Sequence, residues 1–510
     1  MTTDNQQAPA RKRFGRYGFL IVPAVLALSV LAVLWLVVSI YHLRPVILWT
    51  DGLIFVLVAA VVVFVFYARQ HEHLRVPWRQ VFRNRVGMVS LVVLSVYITV
   101  ALLDSLHFRQ PLENSGEHGK PYYSVEVLSA LDVVLQSLRS RDEKTYSAPF
   151  AANLYARETV EMPDGSKQRL YPRLVYGGAH LENPESQRGA DIFNRVIQGG
   201  VAGGLMSLIV AMLVLHWLAR SRHASLTTVW HQMTAGRESV PWPAILITIS
   251  VILVLTGIAV TLSADYHIFG TDKVGQDVFY QALKSIRTAL AIGTLTTLVM
   301  LPFAVLLGIM AGYFRGWIDD VIQYLYTTLN SIPGVLLIAA AVLMLQVYME
   351  AHPEMFTTDS ERADMRLLFL CLILGITSWT GLCRMLRGET MKLSEVEYIQ
   401  AAAAFGVRRA RIISRHILPN VMHIVLISIV LDFSGLVLAE AVLSYVGVGV
   451  DPSMNSWGNM INSARLEMAR EPMVWWSLMA AFCFMLGLVL AANLFSDAVR
   501  DAFDPRLRQG

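Results

Sequence analysis

The sequence predicts an all-α polytopic membrane protein, with about ten transmembrane helices and a small α+β external domain. Three observations lead there. Of 510 residues, 55% are hydrophobic and only 16% are charged, against about a quarter charged in an average soluble domain; mean hydropathy is +0.51. Stretches apolar enough for a span of about 20 residues recur near 18–41, 52–68, 86–104, 196–219, 243–263, 289–313, 321–347, 366–385, 421–445 and 475–496. One long hydrophilic stretch, residues 105–195, interrupts them.

Taken in order, the first stretch is too long, and too poor in a small-residue cleavage site, for a removed signal peptide, and reads as a signal anchor. Arg11, Lys12, Arg13 and Arg16 precede it, Arg69, Arg75, Arg79, Arg83 and Arg85 follow the second, and Arg220, Arg222 and Arg237 follow the fourth. The positive-inside rule places these clusters, and with them both termini, on the cytoplasmic side. The net charge of +4, from 42 basic and 38 acidic residues, is too balanced to point to nucleic acid. Cys371, Cys383 and Cys483 all fall in apolar segments, so buried thiols are expected and no disulfide framework.

Residues 105–195 then lie outside. "TVEMPDGSKQRLY" (159–171) alternates around a Pro-Asp-Gly turn and predicts a hairpin. "VEVLSALDVVLQSLRS" (125–140) has helical spacing. Gly199, Gly200, Gly203 and Gly204, and later Gly308 and Gly312, have the small-xxx-small spacing that lets helices approach within the chain. Pro302 and Pro333 each remove a backbone donor and predict kinks or breaks.

"EYIQAAAAFGVRRARIISRHILPN" (397–420) is a polar, punctuated segment between two apolar ones. Strong helix formers lead to Gly406, which inside a helix costs about 1 kcal/mol relative to alanine. Gly406 is therefore expected to be a left-handed cap or a point of close backbone approach. Beyond it Arg408, Arg411 and Arg415 recur on one face and Ala410, Ile413 and Ile417 on another, with Pro419 closing an amphipathic interfacial helix. A short helix, a Gly corner and a second helix on the cytoplasmic side could pass force from a soluble partner to the spans.

This segment resembles the EAA loop of ABC importer permeases, the coupling helix that docks into a cleft of the ATPase subunit. Ala401 and Ala402 match its two alanines, Gly406 its glycine, and Leu418 and Pro419 its terminal pair; Gln400 stands where the family usually has glutamate, and Phe405 lies at the corner. "FGTDKVGQDVF" (269–279) resembles the GTDxxGRDV motif of the C-type permease in dipeptide, oligopeptide and nickel importers, with Gln276 in place of arginine. "AGYFRGWIDD" (311–320), "SWTGLCRMLRGE" (378–389), "AEAVLSYVGVGV" (439–450), "SWGNMI" (456–461) and "RDAFDPRLR" (500–508) match the same subfamily in order.

The resemblance implies a type I ABC importer permease core over 264–510 with its coupling loop at 397–420. "FRNRVGMVSLVVL" (82–94) resembles the lead into the first core span, so 86–104 is expected to be that span, with 243–263 as the alternative. Residues 1–85 then hold the N-terminus and two extra spans, 105–195 an inserted external domain, and 196–263 two inserted spans with a cytoplasmic loop.

Implied partners are a second, B-type permease, two ABC ATPase subunits, an external solute-binding protein and membrane lipid. The implied location is a bacterial cytoplasmic (inner) membrane. Cargo would be peptides, or alternatively nickel or another small solute. A non-transporting scaffold or sensor using the external domain is the other class. Deleting 105–195 is expected to leave a permease core able to assemble.

Site residues follow. Gln400, Ala401, Ala402, Phe405, Gly406, Leu418 and Pro419 are expected to couple to the ATPase. Glu440, which matches the AEA motif, and Asp432 lie within a span, where ionisable groups are costly and face interiors or cavities. Arg287 matches a family arginine, as a snorkelling anchor or a substrate contact. His71 and His73 read as solvated rather than metal-binding. No GxxxxGK[ST], HExxH or GxSxG pattern is present, so no enzymatic activity is expected. No cofactor is expected on this chain, ATP-Mg being held by the partner ATPases.

Overall fold

A computed structural model describes residues 43–115, 121–161, 167–234, 240–355 and 358–503. Among them nine helical stretches are long and apolar enough to cross a membrane. The expected span at 18–41 lies outside the described residues.

The chain enters through strand β1 (Arg44–Val46), then helices α1 (Trp49–Gln70), α2 (Glu72–Arg83) and α3 (Arg85–Asp104). Asn84 caps α3, its side chain accepting from Val86 and Gly87 N–H. Amphipathic α2 lays Val81 and Trp78 against Val499, Ala502 and Phe503 near the chain's far end. A non-contiguous sheet follows: β1 pairs antiparallel with β2 (His107–Arg109), which pairs with β5 (Leu128–Ser129). Strands β3 (Pro111–Ser115) and β4 (Pro121–Tyr123) form a hairpin, as do β6 (Glu158–Glu161) and β7 (Lys167–Leu170). The last is the hairpin predicted from alternation; its Pro-Asp-Gly turn lies outside the described residues. The expected helix over 125–140 is shorter. It starts only after a Ser129/Asp132 capping box, as α4 (Ala130–Val134) and α5 (Gln136–Arg139).

Helix α6 (Pro184–Arg222) begins well before residue 195, so the inserted domain's own structure ends at 183. Proline at the first turn starts α6 without losing a needed donor. After α7 (Leu226–Thr234), α8 (Trp242–Ser263) returns against α6. Gly199 and Gly203 meet the backbone of 253–258, where a Cβ on either would come within 2.6 Å. The glycine spacing therefore closes this hairpin internally.

The remaining helices are α9 (Val278–Phe314), α10 (Trp317–Ser331), α11 (Gly334–Ala351), α12 (Asp359–Ser378), α13 (Thr380–Ser394), α14 (Glu397–Ala404), α15 (Arg409–Ile412), α16 (Leu418–Val446), α17 (Trp457–Glu467) and α18 (Trp476–Phe503). The expected span 321–347 is two helices, broken at Ile332 and Pro333: amphipathic α10, then apolar α11. Pro333 cannot donate and holds Ile332 extended. Pro302, by contrast, lies inside uninterrupted α9. Cys371 and Cys383 are buried, but Cys483 is exposed on the outer side of α18.

The inserted domain is built into the helical core rather than placed on top of it. Thr271, in the "GTD" loop before α9, accepts from Ser147 N (2.7 Å) and donates to Thr145 O (2.8 Å). Trp476 Nε1 donates to Thr271 O (2.9 Å), and Tyr155 stacks edge-on against Trp476. Gly275, at φ +84°, comes so close to the inserted chain that a Cβ would lie 1.7 Å from Glu143 O. These contacts count against the expectation that a core lacking 105–195 would assemble, which the deletion itself tests. The loop leading into α9 takes its shape from that domain.

Candidate coupling loop and buried polar sites

The segment 397–420 folds as a corner followed by one long helix. Ile399 of α14 is buried in the core cluster that also holds Ile309, Tyr326, Cys383 and Leu386, fixing the orientation of the helix. At its end Val407 N donates to Ala402 O (3.1 Å) and Gly406 N to Ala403 O (3.0 Å). That pair of bonds is a Schellman cap, with Gly406 left-handed at φ +76°. Nothing lies within 4 Å of a Cβ built on Gly406, so the cap explains this glycine and close approach does not. Phe405 is 87% exposed, and Gln400, Ala401 and Gly406 are exposed beside it. Ala402 packs inward with Val407.

Two expectations for this segment change. The inward face carries Ile412 and Ile417, both fully buried, while Ala410 is exposed. Pro419 does not close the helix. A π-helical turn over Ile413–Ile417 joins α15 to α16, and Pro419 sits in the first turn of α16. A regular α-helix would set the Pro419 ring against the carbonyl four residues back, and the wider turn relieves that clash. Leu418 is half-buried against the same cluster as Ile412. The helix beyond the corner is therefore continuous with the span behind it.

Charged groups tie this piece to neighbouring helices. Arg315 reaches the Glu395 carboxylate and Ser394 Oγ (3.0 Å), and Gln400 Nε2 donates to Glu395 at 3.3 Å. Arg387 grips Asp319 through two bonds of 2.5 and 2.7 Å. This fork holds the Asp319 carboxyl below the usual carboxylate range. Arg408, Arg409, Arg411 and Arg415 stay exposed, with Arg409 over the Phe314 ring at 5.9 Å.

At the opposite end, the polar residues singled out from sequence have three separate fates. Glu440 is 2% exposed and accepts from Ser444 Oγ at 2.7 Å. Gly458 of the "SWGNMI" stretch packs on both, and Trp457 Nε1 anchors that stretch to Ala282 O (3.0 Å). Asp432 is half-buried on α16 and makes no hydrogen bond or ion pair with any described residue. Arg287 does not snorkel. It is 5% exposed, and its guanidinium binds Asp51 Oδ1 (2.6 and 3.2 Å) and Thr50 Oγ1 (3.0 Å). No sequence pattern links Arg287 with Asp51, 236 residues away.

Sequence reasoning also missed His267, 3% exposed in the joint between the inserted domain and α9. Its Nδ1 donates to Asp277 Oδ2 (2.7 Å), and Nε2 faces Glu143 Oε1 at 3.5 Å, a charge contact rather than a hydrogen bond. Asp277 also caps α9, and Glu143 accepts from the N–H groups of Val175, Tyr176 and Gly177. Burial disfavours the charged ring, yet the two carboxylates outweigh it and push His267 up to about 9. A folded pKa above the unfolded value stabilises fully below the unfolded pKa of about 6.5. That stability is lost as pH rises through about 9. The joint is expected to lose about 3 kcal/mol between pH 6 and 10, by the linkage rule. Protection factors at 143–147 and 267–277, corrected for the base-catalysed intrinsic exchange rate, should fall over that range, and His267→Gln should flatten the fall.

Among the described residues no group of three or more His, Cys, Asp or Glu side chains is placed to hold a metal. His71 Nδ1 lies 2.9 Å from Tyr67 O, and the His73 side chain is outside the described set.

Comparison with known proteins places this arrangement. Residues 304–509 match the family described as binding-protein-dependent transport system inner membrane component. The glutathione transport system permease protein GsiD of Pectobacterium atrosepticum is 32% identical over 242 residues, 48% of this chain and 73% of that protein. The oligopeptide permease protein OppC of Mycobacterium tuberculosis is 34% identical over 242 residues, 48% of this chain and 77% of that protein. The dipeptide permease protein DppC of Bacillus subtilis is 31% identical over 247 residues, covering 48% and 71%. The matched family region includes the coupling corner, α16 and the Glu440 contact. This chain belongs to the ABC importer permeases of the peptide transport family.

Proposed function

We propose that this permease carries peptides inward, forming the pathway with a second, B-type permease and coupling to two ABC ATPase subunits. An external solute-binding protein delivers the cargo, and the inserted domain docks or shields it. The coupling loop and both termini face the cytoplasm, in a bacterial inner membrane. The chain binds no cofactor itself and is not an enzyme; ATP-Mg sits on the ATPases. The observation that carries this reading is the exposed corner at Phe405 and Gly406, continuous through the π-turn with a full span.

ATP binding closes the ATPases and moves the corner, and α16 moves with it. Reversing a 1:99 equilibrium between two states requires about 5.5 kcal/mol of differential binding, and a rigid helix seated in a cleft is a suitable lever. Peptide cargo rests on the relatives' names, with nickel or another small solute as the alternative. Uptake of labelled di- to pentapeptides in cells with and without the gene tests this. Loss of peptide uptake in the deletion strain is expected. Intact peptide uptake with lost nickel accumulation would move the assignment to the metal.

A further inference from the structure

Three stretches of the N-terminal half converge on one face of α9. Tyr280, Lys284 and Arg287 recur at i, i+4 and i+7, so they share one side of the helix. Tyr280 donates to Asp132 Oδ1 at 2.7 Å, and Lys284 Nζ lies 2.6 Å from Asp104 Oδ1 and 2.9 Å from Asp132 Oδ1. Arg287 takes Asp51, as described. Asp51 comes from α1, Asp104 from the end of α3 and Asp132 from the inserted domain. Helix α12 adds Asp364, 3.7 Å from Arg287 and accepting from Thr50 N at 3.1 Å. None of the four carboxylate residues is more than 5% exposed.

Two features set this cluster apart from a static staple. Four carboxylates face two directly paired cations, Lys284 and Arg287, with Arg139 acting on Asp132 from farther off and His107 Nδ1 2.7 Å from Asp51 Oδ2. A buried ion cluster short of cations costs desolvation that its pairing does not return in full. The second feature is the thin packing of α1. Of its 22 residues only Thr50, Asp51 and Ala68 are buried, with Leu53 and Ile54 in partial contact. This end of α1 meets the core through the charge cluster together with Leu48, Leu53 and Ile54.

Helix α9 connects that cluster to the coupling loop. Its 37 residues span about 55 Å at the helical rise of about 1.5 Å. At the far end Phe314 meets Arg409, and Arg315 ties to Ser394 and Glu395. We infer that the cluster is an electrostatic latch, holding α9 against α1 and the inserted domain in the resting importer and releasing when the corner moves. Asp51 is its positioning residue. The inference rests on the importer reading above.

The test uses the complete importer reconstituted in lipid nanodiscs, with ATPase activity measured without and with its binding protein. Asp51→Asn, which keeps the shape and removes the charge, is expected to raise the activity without binding protein at least threefold. It should also blunt the stimulation by binding protein, while Asp51→Glu retains wild-type behaviour. A folded Asp51→Asn importer with unchanged activity in both conditions would overturn the latch. Should that variant fail to fold, hydrogen exchange over 49–56 in the wild type decides. Faster exchange in the ATP–vanadate-trapped state supports release, and equal exchange contradicts it. A wild-type complex devoid of ATPase activity would count against the importer reading instead.

Discussion

Replacing Gly406 with glutamate is expected to abolish ATP-driven uptake while leaving the spans folded. The two halves of that expectation have separate physical origins. Folding survives because a Cβ at 406 meets no atom within 4 Å and the position is exposed. The internal cost is the left-handed φ of +76°, about 1 kcal/mol for a residue with a Cβ, small against the stability of a domain. Function is lost, on the proposed coupling, because the new carboxylate projects from the corner next to Phe405, where the ATPase cleft would close around it. Uptake should fall to background and co-purifying ATPase should disappear, with an unchanged elution profile in detergent. Phe405→Ala should act in the same direction, since that ring is 87% exposed and removing it uncovers no core residue among those described.

Deleting the inserted domain is expected to remove folded protein altogether, not merely its interaction with a binding protein. The loop 264–277 would lose its bonds to Thr145 and Ser147, and His267 would lose Glu143. Trp476, now fully buried, would lose the cover of Tyr155. Removing one member of a buried charge pair costs about 3–5 kcal/mol, a large part of the roughly 5–15 kcal/mol that holds an ordinary domain. Gel filtration should show aggregate where the full chain gives a single peak. Gly275→Val tests the same joint with one residue, because its Cβ cannot fit beside Glu143 O. A monodisperse deletion protein would show that the domain is an accessory and that the loop can shape itself.

Much of this architecture was legible in the sequence, where one local physical signal decides the outcome. Continuous apolar length marked the spans, alternation around a turn marked the β6–β7 hairpin, and Gly406 after a run of alanines marked a helix end. The remaining features depend on partners far along the chain. Arg287 resembles a surface anchor until Asp51 is brought beside it, and His267 shows no signal until Glu143 and Asp277 close on it. Pro419 reads as a stop because the compensating π-turn leaves no compositional trace. The break at 332–333 was marked by Pro333, although unbroken hydropathy across it hid that two helices replace one span. The close approach of Gly199 and Gly203 to the backbone near Gly257, and of Gly308 and Gly312 to residues 383–390, was visible as spacing before it was visible as contact.

The most direct test of the central claim is purification of the tagged chain from its native membranes in mild detergent, assaying ATPase activity and identifying what co-purifies. The account predicts two ATPase subunits and a second permease in the preparation, with ATP hydrolysis that is lost in Gly406→Glu. A well-folded chain recovered alone, without ATPase activity, would contradict it and favour a scaffold or sensor that uses the inserted domain.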